Sequence, residues 1–135
     1  MKPAILFIAS LCLPLWTSAC SIGGLEHEVS FPSDSAALPA SEARSLTNWF
    51  INLRDGPVGI EYVTVFAYAH NQMPEELANA RGASVTNLTT MLASQKAIPV
   101  RLTVSVVGKV GGVYRPHDDV VLAVQPKCAS TQTCC

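Results

Sequence analysis

One arginine stands within an apolar helical pattern, and its type and position suit it to recognising a ligand. The pattern recurs at intervals of three and four residues, which places its members on one face of a helix. A guanidinium on that face must meet an acceptor, because a buried charge without a partner is costly. We therefore expect this arginine either to bond an acceptor inside the fold or to face a cleft. The pattern consists of Leu77, Arg81, Val85, Leu88 and Leu92.

The three histidines give little support for an enzyme. His27, His70 and His117 are far apart in the sequence, and no Ser-His-Asp, Cys-His or His-x-x-x-His set can be proposed from the spacing. His117 is followed by Asp118 and Asp119, which could ligate a metal, but a solvated turn before a strand explains the run better. We predict no catalytic residue, no cofactor and no metal site.

The cysteines are placed for redox chemistry or attachment. Cys12 and Cys20 lie near the amino terminus, and the other three lie in the tail KCASTQTCC. An oxidising compartment would favour a disulfide between Cys128 and either Cys134 or Cys135, which leaves one thiol over for cross-linking to another chain. A zinc site is less suited to this tail, because the spacing lacks paired Cys-x₂-Cys knuckles.

The first nineteen residues are typical of an export signal. Lys2 supplies a positive start, Ala4–Trp16 is apolar, and the small residues Thr17–Ala19 precede Cys20. An apolar stretch of about thirteen residues is too short to cross a bilayer comfortably as a helix. The pattern predicts a signal peptide over residues 1–19.

The segment Thr17–Cys20, TSAC, resembles the lipobox of bacterial lipoproteins, although that motif usually has Leu where this sequence has Thr17. The resemblance implies that Cys20 is lipidated, and several acyl chains would anchor the protein firmly. Ser21, rather than Asp, resembles the pattern sorted to the periplasmic face of the outer membrane. The alternative is ordinary cleavage after Ala19, which would leave a soluble periplasmic protein.

The length and net charge of the chain limit the number of domains and the class of partner. Removal of nineteen of the 135 residues leaves about 116, which is enough for one domain and too few for two. The formal net charge is −1, and nucleic-acid-binding surfaces are strongly basic. We therefore predict no nucleic-acid partner.

Periodicity predicts alternating strands and helices. This alternation favours an α+β fold, a two-layer sandwich with both helices on one face of a mixed sheet. Small apolar residues mark one face of the second strand, and the aromatic residues on its other face indicate a covered sheet surface or a docking surface for another protein. The predicted elements are strand His27–Phe31, helix Ala40–Leu53, strand Gly59–Ala69, helix Pro74 to about Ala93, strand Val100–Val107 and strand Asp119–Val124.

The two predicted central strands have assigned faces. On Gly59–Ala69, we expect Val63, Val65, Ala67 and Ala69 to face the helices and Tyr62, Thr64, Phe66 and Tyr68 to face away. On Val100–Val107, we expect Leu102, Val104 and Val106 inward and Arg101, Thr103 and Ser105 outward.

Two motifs in this order of elements resemble the OmpA-like, peptidoglycan-associated domain of Gram-negative envelope proteins, over roughly Glu28–Gln125. FPSDSAAL at Phe31–Leu38 resembles the family's approach to its first helix. LANARGASV at Leu77–Val85 resembles the family's Leu-Ser-x-x-Arg-Ala-x-x-Val motif, with Ala78 in place of Ser and Gly82 in place of Ala. The two resemblances imply that the chain has four segments. These are a signal peptide (1–19), a lipidated cysteine and tether (20–27), an OmpA-like domain (28–126) and a Cys-rich tail (127–135).

The resemblance assigns a role to Arg81. In the family this arginine, with an aspartate at the end of the preceding strand, binds the diaminopimelate of peptidoglycan, and a guanidinium fork suits a carboxylate. Here His70 stands at the position of the aspartate, and the segment from it to Arg81 is four residues shorter. The ammonium group of the ligand would lose its partner, at a cost of several kcal/mol. Arg81 and His70 are therefore candidate ligand-binding residues in an altered site.

Two functions follow. The first is an outer-membrane lipoprotein whose divergent OmpA-like domain is a scaffolding or interaction module among envelope proteins, for example in a secretion, conjugation or pilus assembly. The alternative is a peptidoglycan-binding lipoprotein that anchors the outer membrane to the cell wall through Arg81. Under the first, we expect Arg81 to bond backbone carbonyls, or Glu75 and Glu76, near the shortened turn.

Overall fold

The computed structural model describes residues 22–70, 73–106, 120–131 and 133. The predicted order of strands and helices is confirmed. Each predicted strand and helix begins and ends within a few residues of the bounds expected from the sequence. A short 3₁₀ turn, Ser94–Lys96, follows the second helix. The elements are β1 (Glu26–Val29), α1 (Ala40–Asp55), β2 (Ile60–Ala69), α2 (Glu75–Ala93), β3 (Val100–Val106), β4 (Val120–Pro126) and α3 (Lys127–Ser130).

The described strands form one mixed sheet in the order β1-β4-β2-β3. β4 is antiparallel to both of its neighbours, whereas β2 and β3 are parallel and are connected through α2. Parallel neighbours require a crossover of this kind, and an amphipathic helix supplies it. The α+β sandwich predicted from periodicity is thereby confirmed.

The core lies between the sheet and the helix layer. Val63, Val65, Ala67 and Ala69 on β2 are all buried, as their alternation predicts. The residues between them are half-buried on the opposite face of the sheet. From the helices the core receives Leu46 and Phe50 on α1 and Ala78 and Val85 on α2.

The expectation that alternate residues of β3 are inward needs correction. The register pairs Leu102, Val104 and Val106 with Val65, Ala67 and Ala69, so these side chains do lie on the helix face. Leu102 is nevertheless 37% exposed and Val106 is 66% exposed. β3 is an edge strand of the described sheet. Neighbouring elements of the described sheet and helices therefore shield these side chains on one side only.

Both long helices begin directly after a proline. Pro39 is the N-cap of α1 and Pro74 is the N-cap of α2, and neither cap has a side-chain hydrogen bond. Ser41, a residue type that favours the N-cap position, lies instead within the first turn of α1. The fixed φ of proline suits the extended cap conformation seen at both sites.

Gly82 lets α2 approach the sheet closely. A Cβ atom at this position would lie 2.7 Å from a Leu102 methyl carbon and 3.0 Å from the Cβ of Ala67. The second distance is tight for a contact with an atom fixed to the backbone, so a larger residue would push α2 outward. Glycine at position 82 therefore fits a helix seated close to β2.

The carboxyl ends of α1 and α2 are joined by Arg54. Its guanidinium donates to the backbone oxygen of Leu92 at 3.0 Å and forks onto Asp55, with Nε···Oδ1 3.0 Å and Nη2···Oδ2 2.8 Å. Hydrogen bonds from Arg54, and then from Lys96, hold the pKa of Asp55 well below its ordinary range. This connection between the two helices was not predicted from the sequence.

Candidate functional site

The apolar stripe of α2 buries its arginine as the periodicity predicts. Arg81 is 4% exposed, and Val85 one turn further on is fully buried. Leu77, Leu88 and Leu92 are partly buried and pack against the core. Arg81 therefore lies among apolar side chains, where its guanidinium requires acceptors within the protein.

Backbone carbonyls provide those acceptors. Nε of Arg81 donates to the oxygen of Ser35 at 2.8 Å, and Nη2 donates to the oxygen of Pro32 at 2.7 Å. Nη1 lies 3.3 Å from the sulfur of Met73, and the guanidinium carbon is 5.2 Å from the ring centroid of Phe31. Both oxygen contacts are short, as is usual when the donor is charged. The expectation that Arg81 bonds chain carbonyls is confirmed.

The carbonyls belong to the segment Phe31–Leu38, and a second residue of α2 also contacts it. Ser84, three residues after Arg81, donates its hydroxyl to the oxygen of Ala36 at 2.8 Å. We call Arg81 and Ser84 together the α2 latch. The latch bonds the oxygens of Pro32, Ser35 and Ala36, and so fixes the path by which the chain passes from β1 to α1.

The local conformation of this segment presents its oxygens to the latch. Asp34 has a φ of +54°, in the left-handed region that aspartate tolerates better than most residues. The amide of Ser35 donates to the oxygen of Pro32 at 3.3 Å, and the Ser35 hydroxyl accepts from the amide of Ala37 at 3.1 Å. The segment is thus a turn held by its own side chains as well as by α2.

His70 lies close to the latch through Met73. The amides and carbonyls of these two residues exchange backbone hydrogen bonds of 3.0 and 2.9 Å, while the sulfur of Met73 contacts Arg81. Met73 thus connects the backbone of His70 to the guanidinium of Arg81. Glu75 and Glu76 are exposed in the first turn of α2. Arg81 was expected to bond either backbone carbonyls or the carboxylates of Glu75 and Glu76. The described contacts confirm the backbone carbonyls.

This geometry determines what the arginine can do. Three of its N–H groups are directed at atoms of Pro32, Ser35 and Met73, and the Phe31 ring lies near its guanidinium. A carboxylate ligand that took the Nε–Nη2 edge of the guanidinium would have to displace the backbone carbonyls of Pro32 and Ser35. Each displaced charge-assisted hydrogen bond contributes about 1.5–3 kcal/mol, so the present arrangement favours the latch over a ligand.

Comparison with solved structures identifies the fold. Neither a protein-family model nor a curated protein matches the sequence. The OmpA-like domain of FopA1 from Francisella tularensis subsp. tularensis SCHU S4 superposes with a TM-score of 0.54, at 18% identity over 78% of this chain and 80% of that chain. The chain has the OmpA-like fold.

Two further structures share this OmpA-like fold. The C-terminal domain of Helicobacter pylori MotB has a TM-score of 0.55 at 12% identity, and the match covers 80% of this chain and 91% of that chain. The periplasmic domain of the same protein has a TM-score of 0.51 at 11% identity, covering 79% and 75% respectively. Similarity this distant establishes the fold, and the site must be argued from the residues of this chain.

Within this fold, His27 is a packing residue of β1. Its ring stacks on Trp49 of α1 with centroids 5.0 Å apart, and Trp49 donates Nε1–H to the oxygen of Gly24 at 2.8 Å. Burial lowers the pKa of His27, and the Glu42 carboxylate opposes this only partly. Its Nε2 is buried without a partner in the described part of the chain, so the neutral ring fits the site better than the charged one. His117 lies outside the described residues.

The remaining candidate residues are cysteines. Cys128 is disulfide-bonded, whereas Cys134, Cys135 and Cys20 lie outside the described residues. The choice between Cys134 and Cys135, and the lipidation of Cys20, therefore stay predictions. Over residues 22–70, 73–106, 120–131 and 133, no group of three potential metal ligands occurs. Within the same ranges, no helix has the length and apolar character needed to span a bilayer.

Ser84 and the acceptor carbonyls were not predicted from the sequence. Ser84 falls three residues after Arg81, on the same side of the helix, and that spacing was the available signal. A groove of about 420 Å³ beside β4, lined in part by Leu25 and Val124, gave no sequence signal. Its lining residues include none from α2.

We expect Arg81→Ala to lower the free energy of unfolding by about 3–5 kcal/mol, because two carbonyls lose charge-assisted donors and a cavity remains. Arg81→Lys should recover less than half of this loss, since a single ammonium cannot reproduce the fork. Urea titration followed by circular dichroism measures both values. Arg44→Ala, at an exposed arginine on α1, is the matched control and should change stability by less than about 0.5 kcal/mol. Equal losses for Arg81→Ala and Arg44→Ala would contradict the latch.

Proposed function

We propose that this chain is a bacterial envelope lipoprotein whose OmpA-like domain is an interaction or scaffolding module, with Arg81 used to hold the fold together. One observation carries this proposal: the Arg81 guanidinium is 4% exposed and bonds the carbonyls of Pro32 and Ser35. A group so engaged is poorly available to a ligand from solution. The domain then acts through its surface.

The envelope compartment is supported by three independent features. The first nineteen residues have the pattern of an export signal. Cys128 is disulfide-bonded, as is usual in an oxidising compartment. One of the structures that share the fold is described as a periplasmic domain. Placement at the periplasmic face of the outer membrane rests further on the lipidation of Cys20.

The face of the sheet opposite the helices supplies a surface suited to a protein partner. Phe66 and Tyr68 stack there with centroids 6.5 Å apart, and the guanidinium carbon of Arg101 lies 5.6 Å from the ring centroid of Tyr62. Aromatic and arginine side chains are the residues most often found at the centre of protein interfaces. This favours an envelope protein as the partner class.

Peptidoglycan binding is the alternative, and two features weigh against it. His70 occupies the position of the family's aspartate, so the ammonium group of diaminopimelate would meet no carboxylate there. The carboxylate of the ligand would in turn compete with the oxygens of Pro32 and Ser35 for Arg81. Binding of the ammonium group and binding of the carboxylate of diaminopimelate are therefore both disfavoured.

A pull-down with purified peptidoglycan sacculi tests this choice. We expect the folded protein to remain in the supernatant, because Arg81 is occupied by the chain itself. His70→Asp restores only the missing carboxylate and should remain in the supernatant as well. A domain with known sacculus binding serves as the positive control for the assay.

The alternative predicts a different pattern. Retention of the native protein that is competed away by diaminopimelate, and that is lost in an Arg81→Lys variant with native circular dichroism, would overturn the proposed role of Arg81. Retention gained by His70→Asp alone would show that the guanidinium is accessible, and would contradict the latch.

Mass spectrometry of the mature amino terminus tests the lipoprotein part of the proposal. We expect cleavage before Cys20 and a mass increase of about three acyl chains on that residue, because the TSAC segment resembles a lipobox. Cys20→Ala is the control variant and should appear in the soluble periplasmic fraction. A native protein with an unmodified Cys20 would refute membrane anchoring through this residue.

A further inference from the structure

The two edges of the described sheet differ in how well they are protected against further pairing. β1 has four residues, and two of them are Glu26 and Glu28. Short, charged strands are a common means of blocking association at a sheet edge. β3 has seven residues, no proline and a single charged residue, Arg101, and its pairing with β2 is free of bulges. β3 is therefore less protected than β1.

The outward groups of β3 follow from its pairing with β2. The amide of Val63 donates to the oxygen of Pro99 at 2.9 Å, and a parallel ladder repeats every second residue. The odd-numbered residues of β3 therefore direct their backbone groups towards β2. The amides and carbonyls of the other set point away from the sheet, and among the described strands none pairs with them. This outward set is Val100, Leu102, Val104 and Val106.

Apolar side chains accompany these outward backbone groups. Leu102 is 37% exposed and Val106 is 66% exposed, and both belong to the outward set. Exposed apolar surface next to an unpaired strand edge is the combination that favours strand addition from another chain. Pairing of a second strand at this edge would bury both side chains, which are exposed to water in the monomer.

We infer that β3 is a dimerisation edge, at which a second copy of this chain pairs antiparallel with a two-fold axis at Thr103. This register places the outward backbone groups of one copy opposite those of the other, with Leu102 facing Val104 of the second copy. Arg101 faces Ser105, so no like charges are opposed. Thr103 faces its own counterpart in a close, non-hydrogen-bonded pair, where two threonines pack well.

Self-complementarity favours a second copy as the partner. A two-fold interface must match each residue with an acceptable partner from the same strand, and this centre satisfies that condition along the whole of β3. A single strand pair is small compared with the roughly 1,200–2,000 Å² of a stable interface, so we expect a dissociation constant of roughly 10 μM to 1 mM. The inference does not depend on the proposed envelope function.

Disulfide trapping tests the register. A cysteine in Thr103→Cys would face its counterpart with Cα atoms about 4.5–5.5 Å apart, within the range for a disulfide. The matched control is Ser105→Cys on the same face of the same strand, where the two new thiols would be displaced by roughly 14 Å. Under mild oxidation of the mature chain, we expect Thr103→Cys to yield at least ten times more covalent dimer than Ser105→Cys. Peptide mapping distinguishes this bond from any formed by the native cysteines.

Sedimentation equilibrium of the native protein up to about 1 mM provides a second measurement. Thr103→Lys places two ammonium groups face to face and should abolish dimerisation, whereas Asn48→Lys on the exposed side of α1 should leave it unchanged. Both substitutions are at exposed positions, and native circular dichroism verifies their folding. A native protein that is monomeric throughout, or equal trapping of Thr103→Cys and Ser105→Cys, would overturn the inference.

Discussion

The fold depends on a charged side chain that bonds the backbone of a distant segment. Arg81 projects from α2 into an apolar layer, and the oxygens of Pro32 and Ser35 satisfy it at 2.7 and 2.8 Å. Since the guanidinium is buried, its acceptors must be in place whenever the domain is folded. The path of the chain between β1 and α1 is thereby tied to the position of α2. Ser84 adds a neutral hydrogen bond to the same segment.

The same constraint gives Arg81 a structural role in this OmpA-like fold. In the family pattern an arginine and an aspartate share a ligand. If the resemblance of Leu77–Val85 to that pattern holds, His70 stands at the position of the aspartate, and its backbone exchanges hydrogen bonds with Met73. The sulfur of Met73 then contacts Arg81 and helps to enclose it. Arg81 thus serves the packing of the fold, because backbone carbonyls and the Met73 sulfur satisfy its donors.

Much of this architecture could be predicted from the sequence because it follows from local periodicity. The alternation of Val63, Val65 and Ala67 with aromatic residues fixed the two faces of β2, and the three- and four-residue spacing placed Arg81 inside. The identity of the carbonyls that bond Arg81 could not be predicted, because they are backbone atoms 46 and 49 residues away and depend on a left-handed residue at Asp34. The exposure of Val106 was missed for a related reason. Val106 is exposed because β3 lies at an edge of the described sheet. The order of strands in a sheet cannot be predicted from the periodicity within one strand.

The most direct test of the central claim is nuclear magnetic resonance of the Arg81 side chain in the native protein. If its Nε–H group bonds the oxygen of Ser35, its proton should exchange with solvent at least a hundredfold more slowly than that of exposed Arg44. Addition of millimolar diaminopimelate should leave its resonance unchanged. An Nε–H signal that exchanges as fast as that of Arg44, or that shifts on addition of diaminopimelate, would show that Arg81 is a receptor group and would contradict its role in the α2 latch.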